Sequence, residues 1–532
     1  MADALQLAQR TGALDPAQWA SSSVAALRWG PTLATAYASA AHRHRGRAAV
    51  VDHRGSLSFL QLDRRSSALA RGLLALGLRP GRHLGLLCHN HRHFVEANLA
   101  AVKAGLPVVH LNTGFAPPQL GEVAQREGVD ALICDADLLP VAEASGYGGP
   151  VVVADTDPAG DGGRPDRPTI QSVRATGRRH RVLLIPRLTN PVLLTSGTTG
   201  LPKGAQRRGA ALDLRGATGL LRRIPYRRGD VVVIPCPLFH AWGLAQMTIA
   251  ANLAATVVLV RQFDPETTVR AVADHKATVL AVVPAMLQRM MAGDWLETHD
   301  LSSLRIVASS GSALPAPVAD AWMERVGDTL YNLYGSTEVG QATIATPADL
   351  REAPGTAGRV VTGSRVAILD DDGHVLPPGS TGRIFVGNQA QFASYTGGGG
   401  KETVDGLMSS GDIGYFDRDG RLFVTGRSDD MIVSGGENVF PAEVEGVLLA
   451  EPAIAEVAVV GVDDADFGQR LVAFVVTAPG ASIDADRVKE VVAGRLARYK
   501  VPREVRFVTE LPRTSTGKVL RGNLVETWTT TR

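Results

Sequence analysis

Lysine is the scarce residue of this 532-residue chain. Only seven are present (Lys103, Lys203, Lys276, Lys401, Lys489, Lys500 and Lys518), so arginine carries nearly all the positive charge. Genomic base composition accounts for most of an arginine excess, but it does not choose where the few lysines stand. The three cysteines, Cys88, Cys134 and Cys236, lie far apart inside apolar runs. This excludes a disulfide framework or a metal knuckle and is consistent with reduced, buried thiols in a cytoplasmic setting. No uninterrupted apolar run approaches the roughly 18 residues of a membrane span, and no basic, then apolar, leader opens the chain. Membrane contact is therefore expected to be peripheral at most. A formal net charge of +2 excludes the strong basic excess of a nucleic-acid footprint. No fixed-period repeat is present. What remains, at 45% apolar and 20% charged residues, is the composition of a globular enzyme.

From Ala48 to about Val153, short apolar runs alternate with helix-like stretches. A second alternation runs from Val231 to about Val307, in which Ala277 to Val283 reads as a buried strand. Both predict βαβ units and doubly wound, mostly parallel sheets. Between Val360 and Tyr395 short strands broken by Gly and Pro predict a small β-barrel-like subdomain. The last hundred residues read as strand, helix and strand segments after a polar turn at Gly426-Arg427-Ser428-Asp429-Asp430. The predicted fold class is therefore α/β: a large domain over 1–428 with two doubly wound sheets, and a smaller mobile α+β domain over 429–532.

Thr195-Ser196-Gly197-Thr198-Thr199-Gly200-Leu201-Pro202-Lys203-Gly204 follows the strand-like Pro191 to Leu194. Three glycines let backbone N–H groups approach phosphate oxygens, four hydroxyls add donors, and Lys203 supplies a mobile charge. The string is not a Walker A loop, because Pro202 precedes the lysine and Gly204 follows it.

Other strings are ambiguous when read alone. Tyr334-Gly335-Ser336-Thr337-Glu338 reads as a helix N-terminus capped by Ser336 or Thr337. Gly311-Ser312-Ala313-Leu314-Pro315 is a common turn. Asp412 in Ser410-Gly411-Asp412-Ile413-Gly414-Tyr415 reads as a turn aspartate, and Arg427 as a solvated charge. Lys518 sits in the Gly-containing Pro512 to Arg521 segment. Ser434-Gly435-Gly436-Glu437-Asn438 reads as a hairpin turn before a helix starting at Pro441. His89-Asn90-His91-Arg92-His93 suits a solvated turn better than a metal site.

Taken together and in this order, from about Ala48 to Leu524, these strings resemble the adenylate-forming superfamily of acyl-CoA synthetases, adenylation domains and firefly-type luciferases. The resemblance implies ATP, Mg2+ and CoA as partners, together with a carboxylic acid. It makes Thr195, Ser196, Gly197, Thr198, Thr199, Gly200 and Lys203 the pyrophosphate clamp. Tyr334 then packs on adenine beside Gly335 and the Gly311 turn, Thr337 meets the α-phosphate, and Glu338 holds Mg2+. Asp412 and Arg427 take the ribose, Asp429 is the hinge, and Lys518 contacts the α-phosphate and the substrate carboxylate. Gly435 and Gly436 line the pantetheine tunnel. Pro237-Leu238-Phe239-His240-Ala241-Trp242-Gly243 lacks the aspartate by which amino-acid-activating relatives hold an ammonium, so a substrate without an α-amino group is expected beside His240 and Trp242.

The attacking carboxylate is already ionised at neutral pH, so this chemistry needs charge neutralisation and in-line geometry rather than a general base. The leading expectation is an acyl-CoA synthetase for a hydrophobic, medium- or long-chain fatty acid. An acyl-AMP ligase that loads a carrier protein, or a ligase for an aromatic acid, is the alternative. A luciferase-like oxygenase is disfavoured because nothing marks an oxygen site. Whether the chain works as a monomer or a homodimer is not set by these residues.

Overall fold

The computed structural model describes the chain except residues 1, 13, 155–166, 180–190, 196–202, 208–213, 397, 399, 429, 435–436, 465–467, 515–516 and 531–532. The chain divides into two compact units. One comprises Met1–Val282, Arg289–Ala308 and Gln389–Gly400; the other comprises Val283–Gln288, Ser309–Asn388 and Lys401–Arg532.

The first unit contains two mixed sheets. In one, Val192–Thr195, Val108–His110, His83–Leu87, Val129–Cys134 and Val151–Val153 run parallel, and Lys203–Arg207 and Phe392–Tyr395 extend one edge antiparallel. In the other, Val279–Val282, Val231–Ile234, Thr256–Leu259 and Ala48–Asp52 are parallel, with Gly55–Ser58 antiparallel beside them. Such strands are covered on both faces, which is why Val231–Ile234 and Val279–Val282 are continuous β-branched and apolar runs rather than alternating ones. All three cysteines are buried free thiols, as their apolar flanks predict.

In the second unit, seven strands lie in the order Arg365–Leu369, Gly382–Gly387, Leu407–Phe416, Arg421–Arg427, Gly358–Val360, Gly340–Ala345 and Leu330–Ser336. Each neighbouring pair is antiparallel. The β-rich region expected from the Gly and Pro breaks is thus an open sheet path without barrel closure among the described residues.

The C-terminal strands Glu437–Val439, Ile432–Ser434, Gly468–Thr477 and Ile454–Asp464 form an antiparallel sheet that Glu504–Phe507 joins in parallel. Along Ile454–Asp464 the side chains alternate between two cores. Val457 and Val459 pack with Val444, Leu448, Val488 and Val492 on helices Pro441–Leu448 and Ala485–Ala493. Ala458, Val460 and Val462 pack with Leu524 and Trp528 on helix Arg521–Thr530. A period of two with both faces apolar fits a strand covered by helices on both sides.

Candidate active site

Asp412 and Arg427 are directly paired across two antiparallel strands, and Tyr334 reaches them from Leu330–Ser336. The Tyr334 hydroxyl donates to Asp412 Oδ2 at 2.5 Å, and Arg427 Nη1 lies 3.4 Å from Asp412 Oδ1. The Asp412 N–H donates to Ser410 Oγ at 3.1 Å, which fixes the backbone beneath the carboxylate. Burial pushes the Asp412 pKa up, opposed by the Tyr334 hydrogen bond and the Arg427 charge. Burial first, and then the Asp412 charge, push the Tyr334 phenol well up. The result is a carboxylate flanked by one neutral donor and one cation, suited to accept hydrogen bonds from vicinal hydroxyls.

The string from Tyr334 to Glu338 is not a helix start. It is the end of a strand, a tight turn, and the beginning of Gly340–Ala345. The cap-like hydroxyl is nevertheless used: Ser336 Oγ accepts the N–H groups of Glu338 and Val339, both at 3.2 Å. Gly335 is required by packing, since a Cβ there would stand 2.1 Å from the Gly340 carbonyl oxygen. Thr337 and Glu338 are half-buried at this turn. Ser310 Oγ donates to the Leu333 carbonyl at 2.9 Å and ties the Gly311 turn to the same strand.

Lys518 belongs to a turn closed by hydrogen bonds from Thr514 N–H to the Lys518 carbonyl and from Gly517 N–H to the Thr514 carbonyl, each 2.8 Å. Arg513 braces the turn by donating to the Gly517 carbonyl at 2.6 Å and pairing with Glu456 at 2.8 Å. Gly517 has φ +79°, and a Cβ on it would lie 3.7 Å from Val283 Cγ2; one on Gly311 would lie 3.3 Å from Val283 Cγ1. The turn carrying Lys518 and the Gly311 turn therefore flank one valine.

Of the phosphate-loop string, Ser196, Gly197, Thr198, Thr199 and Gly200 lie outside the described residues, as do Gly435, Gly436 and Asp429. The ends of the loop are described. Thr195 and Lys203 are antiparallel register partners. Lys203 Nζ stands 5.4 Å from the centroid of the Tyr395 ring. Gly204 packs so closely that a Cβ would approach Glu127 Oε2 and Thr396 Oγ1 at 2.7 Å.

His240 precedes helix Ala241–Asn252, its ring 4.4 Å from that of Phe239. Burial pushes its pKa down to about 4, so it is neutral at physiological pH. Trp242 Nε1 donates to the Val282 carbonyl at 3.0 Å. This segment is held by a residue that sequence reasoning missed. Asn90 Nδ2 donates to the Cys236 carbonyl at 2.9 Å, and Asn90 Oδ1 accepts the Leu238 N–H at 2.8 Å.

The run from His89 to His93, expected as a solvated turn, is buried throughout. Most of its polar groups find protein partners, the exception being the His93 ring, whose nitrogens make no hydrogen bond and whose Nδ1 lies 3.6 Å from Glu96 Oε2. His91 Nε2 meets Asp135 Oδ1 at 2.8 Å, its Nδ1 accepts the His93 N–H at 3.1 Å, and the Arg92 N–H donates to Asp52 at 2.8 Å. Cys88, His91 and Asp135 cluster closely enough to suggest a metal site, but both His91 nitrogens are already engaged, which leaves no lone pair for an ion. The available signal was positional: Asn90 and Asp135 both follow the carboxyl ends of parallel strands, where α/β sheets place functional groups.

The family model described as AMP-binding enzyme matches residues 37–396, and the AMP-binding enzyme C-terminal domain matches 443–518. The chain belongs to the AMP-binding enzymes. This AMP-binding enzyme is 32% identical to the fatty acid–[acyl-carrier-protein] ligase ScoC of Streptomyces coeruleorubidus, over 88% of this chain and 91% of the relative. It is 34% identical to a feruloyl-CoA synthase of Amycolatopsis sp., over 90% and 95%. Among solved structures it resembles the anthranilate CoA ligase AuaEII in complex with anthranoyl-AMP, with a TM-score of 0.82, 26% identity and coverage of 91% and 94%. It is thus an adenylate-forming enzyme of the acyl- and aryl-CoA ligase group, which uses ATP, Mg2+ and CoA. The residues present fit these groups. Asp412 and Arg427 suit a ribose, and Glu338 is a hard oxygen ligand on a fixed backbone, able to hold Mg2+ whose remaining ligands come from phosphate and water. No helix among the described residues is long and apolar enough to cross a membrane.

Proposed function

We propose that this AMP-binding enzyme is an acid–thiol ligase that converts a hydrophobic carboxylic acid, a medium- or long-chain fatty acid, to its acyl-CoA through an acyl-AMP. A carboxylate oxygen bonds to the α-phosphorus of ATP as the bond to the β-phosphate breaks and pyrophosphate departs. The CoA sulfur then bonds to the acyl carbon, and AMP leaves with the electron pair. The observation that carries this reading is the hydrogen-bonded group of Tyr334, Asp412 and Arg427, with the Lys518 turn and the Gly311 turn on one valine.

In this reading Asp412 and Arg427 hold the ribose, and Tyr334 lies against adenine beside Gly335 and Gly311. Thr337 and Lys518 contact the α-phosphate, Glu338 binds Mg2+, and the segment from Thr195 to Lys203 clamps pyrophosphate. The proposal includes the division at Asp429, with 429–532 turning between the two half-reactions and Gly435 and Gly436 admitting the thiol arm. A neutral His240 and the indole of Trp242 are compatible with an uncharged acyl chain.

A second reading, an aromatic acid as substrate, is supported by the relatives, since one is a feruloyl-CoA synthase and another an anthranilate CoA ligase. ScoC likewise supports a carrier protein as acceptor. Pyrophosphate release measured over acids from acetate through palmitate, with ferulate and anthranilate included, tests the substrate. Thioester formation with CoA alone tests the acceptor. Release only with aromatic acids refutes the fatty-acid reading, and adenylation without any CoA thioester refutes the CoA reading.

A further inference from the structure

In the first unit a hollow of about 490 Å³ is lined by Arg28, Asp63, Arg64, Ser67, Arg71 and Arg178. Its frame is tightly built. Helices Phe59–Ala75 and Ile170–Arg179 approach so closely that a Cβ on Gly177 would lie 1.8 Å from the Ala68 carbonyl oxygen, and one on Gly72 would lie 2.1 Å from that of Val173. Arg71 and Arg178 each adjoin one of these glycines, so the crossing fixes the two on the rim.

The charges are not balanced from within. Among the described residues Asp63 is the one carboxylate lining the hollow, and its Oδ1 is taken at 2.7 Å by the ammonium of the fully buried Lys103, which also binds Ser66 and Ser67. Among the described residues Arg28, Arg64 and Arg178 form no ion pair, and Arg71 donates only to the Gly177 carbonyl, at 2.8 Å. The Lys103 pKa is pushed down, first by burial and then by the fields of Arg28 and Arg71. Beside the hollow, the outer face of helix Pro16–Trp29 turns apolar side chains to solvent: Leu27 is 90% exposed, Trp19 63% and Val24 59%, while Ala25 and Trp29 face inward. At 100° per residue Val24 stands about 40° and Leu27 about 100° from Arg28, whereas Trp19 stands on the opposite side, so Val24 and Leu27 border the basic group.

We propose that this face docks on an anionic phospholipid surface, with headgroup phosphates entering the arginine-lined hollow and Leu27 and Val24 entering the acyl boundary. Guanidinium forks match phosphate oxygens, and basic residues beside exposed apolar ones are the combination that holds a peripheral protein at a bilayer. The docking is independent of which acid the enzyme activates.

The test is co-sedimentation of the full chain with vesicles of phosphatidylcholine alone and of phosphatidylcholine with phosphatidylglycerol in equal parts. Binding to the anionic vesicles only, weakened by salt, is expected. Each of Arg28→Gln, Arg64→Gln and Arg178→Gln should weaken it about fivefold, and the triple variant about a hundredfold. Leu27→Ser with Val24→Ser, which alters no arginine, should also weaken it. Unchanged melting temperatures show that the variants fold, since all these side chains are exposed. Equal binding to both vesicle types, or full binding by the triple variant, overturns the proposal. So does thermal stabilisation by inorganic phosphate or pyrophosphate without vesicle binding, which would assign the hollow to a free phosphate. Self-association lost on Leu27→Ser, again without vesicle binding, overturns it in favour of a second copy of the chain.

Discussion

Asn90→Ala would test whether the segment bearing His240 is held in place by a single amide. Asn90 is 2% exposed and Leu238 0%, so truncation leaves the Leu238 N–H and the Cys236 carbonyl without their partner in a dry setting. Each such group costs about 1–3 kcal/mol when orphaned. The vacated amide volume admits water to one of the two, so a loss of about 2–3 kcal/mol is expected. The backbone bond from Asn90 N–H to the Arg261 carbonyl, 3.2 Å, survives the substitution, so the strand end stays in place and the loss falls on Pro237 to His240. If about half of it reappears as weaker acid binding, the KM for the carboxylic acid rises about tenfold. The KM for ATP should hold, because the side-chain bonds of Asn90 run to the segment Ile234 to Leu238. The assay is ATP–pyrophosphate exchange with acid and ATP varied separately. Asn90→Asp, which keeps an acceptor for Leu238 but loses the donor to Cys236, should fall between wild type and alanine. Equal rises in both KM values, or a lowered melting temperature with neither KM changed, would refute the reasoning.

Lys518→Ala should slow acyl-AMP formation about a hundredfold or more, in line with the loss of single oxyanion donors, while conversion of supplied acyl-AMP and CoA continues; equal loss in both half-reactions contradicts the assigned role. Tyr334→Phe removes a hydrogen bond that holds the Asp412 pKa down against burial. Its KM for ATP should rise about fivefold, and the acid limb of ATP use should move to higher pH; a change confined to the acid substrate would count against it. Burial pushes the Glu96 pKa up, but His93 at 3.6 Å, Arg65 at 2.9 Å and Arg174 at 3.0 Å outweigh it and lower the pKa from 4.5 to about 2. A depressed carboxylate stabilises the fold above its ordinary pKa and loses that contribution as pH falls from 4.5 towards 2, about 3 kcal/mol in total. The Glu96→Gln variant should therefore melt lower at neutral pH and show a flatter acid slope; an unchanged slope would refute the linkage.

The residues proposed to hold the nucleotide were legible because each sits in a short contiguous string whose composition already describes its chemistry. Tyr334 to Glu338, Asp412 with its flanking glycines, and Lys518 after Gly517 need no long-range information to be noticed. Even there local rules misled, since Ser336 looked like a helix cap and proved to stabilise a hairpin turn by the same hydroxyl-to-N–H bonds. The His89 to His93 run failed for a different reason. Polar residues read as solvent-facing unless their partners are known, and those partners, Asp52, Asp135 and the Cys236 segment, lie tens to over a hundred residues away. The arginine-lined hollow was hidden similarly, because its cations come from three helices separated in sequence, against a background in which arginine is common everywhere.

Val283, 4% exposed, offers one methyl group towards the Gly311 turn and the other towards the turn that carries Lys518. Uncovering a single methyl costs about 0.8 kcal/mol, little more than thermal energy, so this methyl would not hold the lysine turn against the domain turning proposed above. The two methyls then act as an internal gauge. With stereospecific methyl labelling, the resonance of Cγ2 should track whether the lysine turn is seated, while that of Cγ1 stays fixed as the reference.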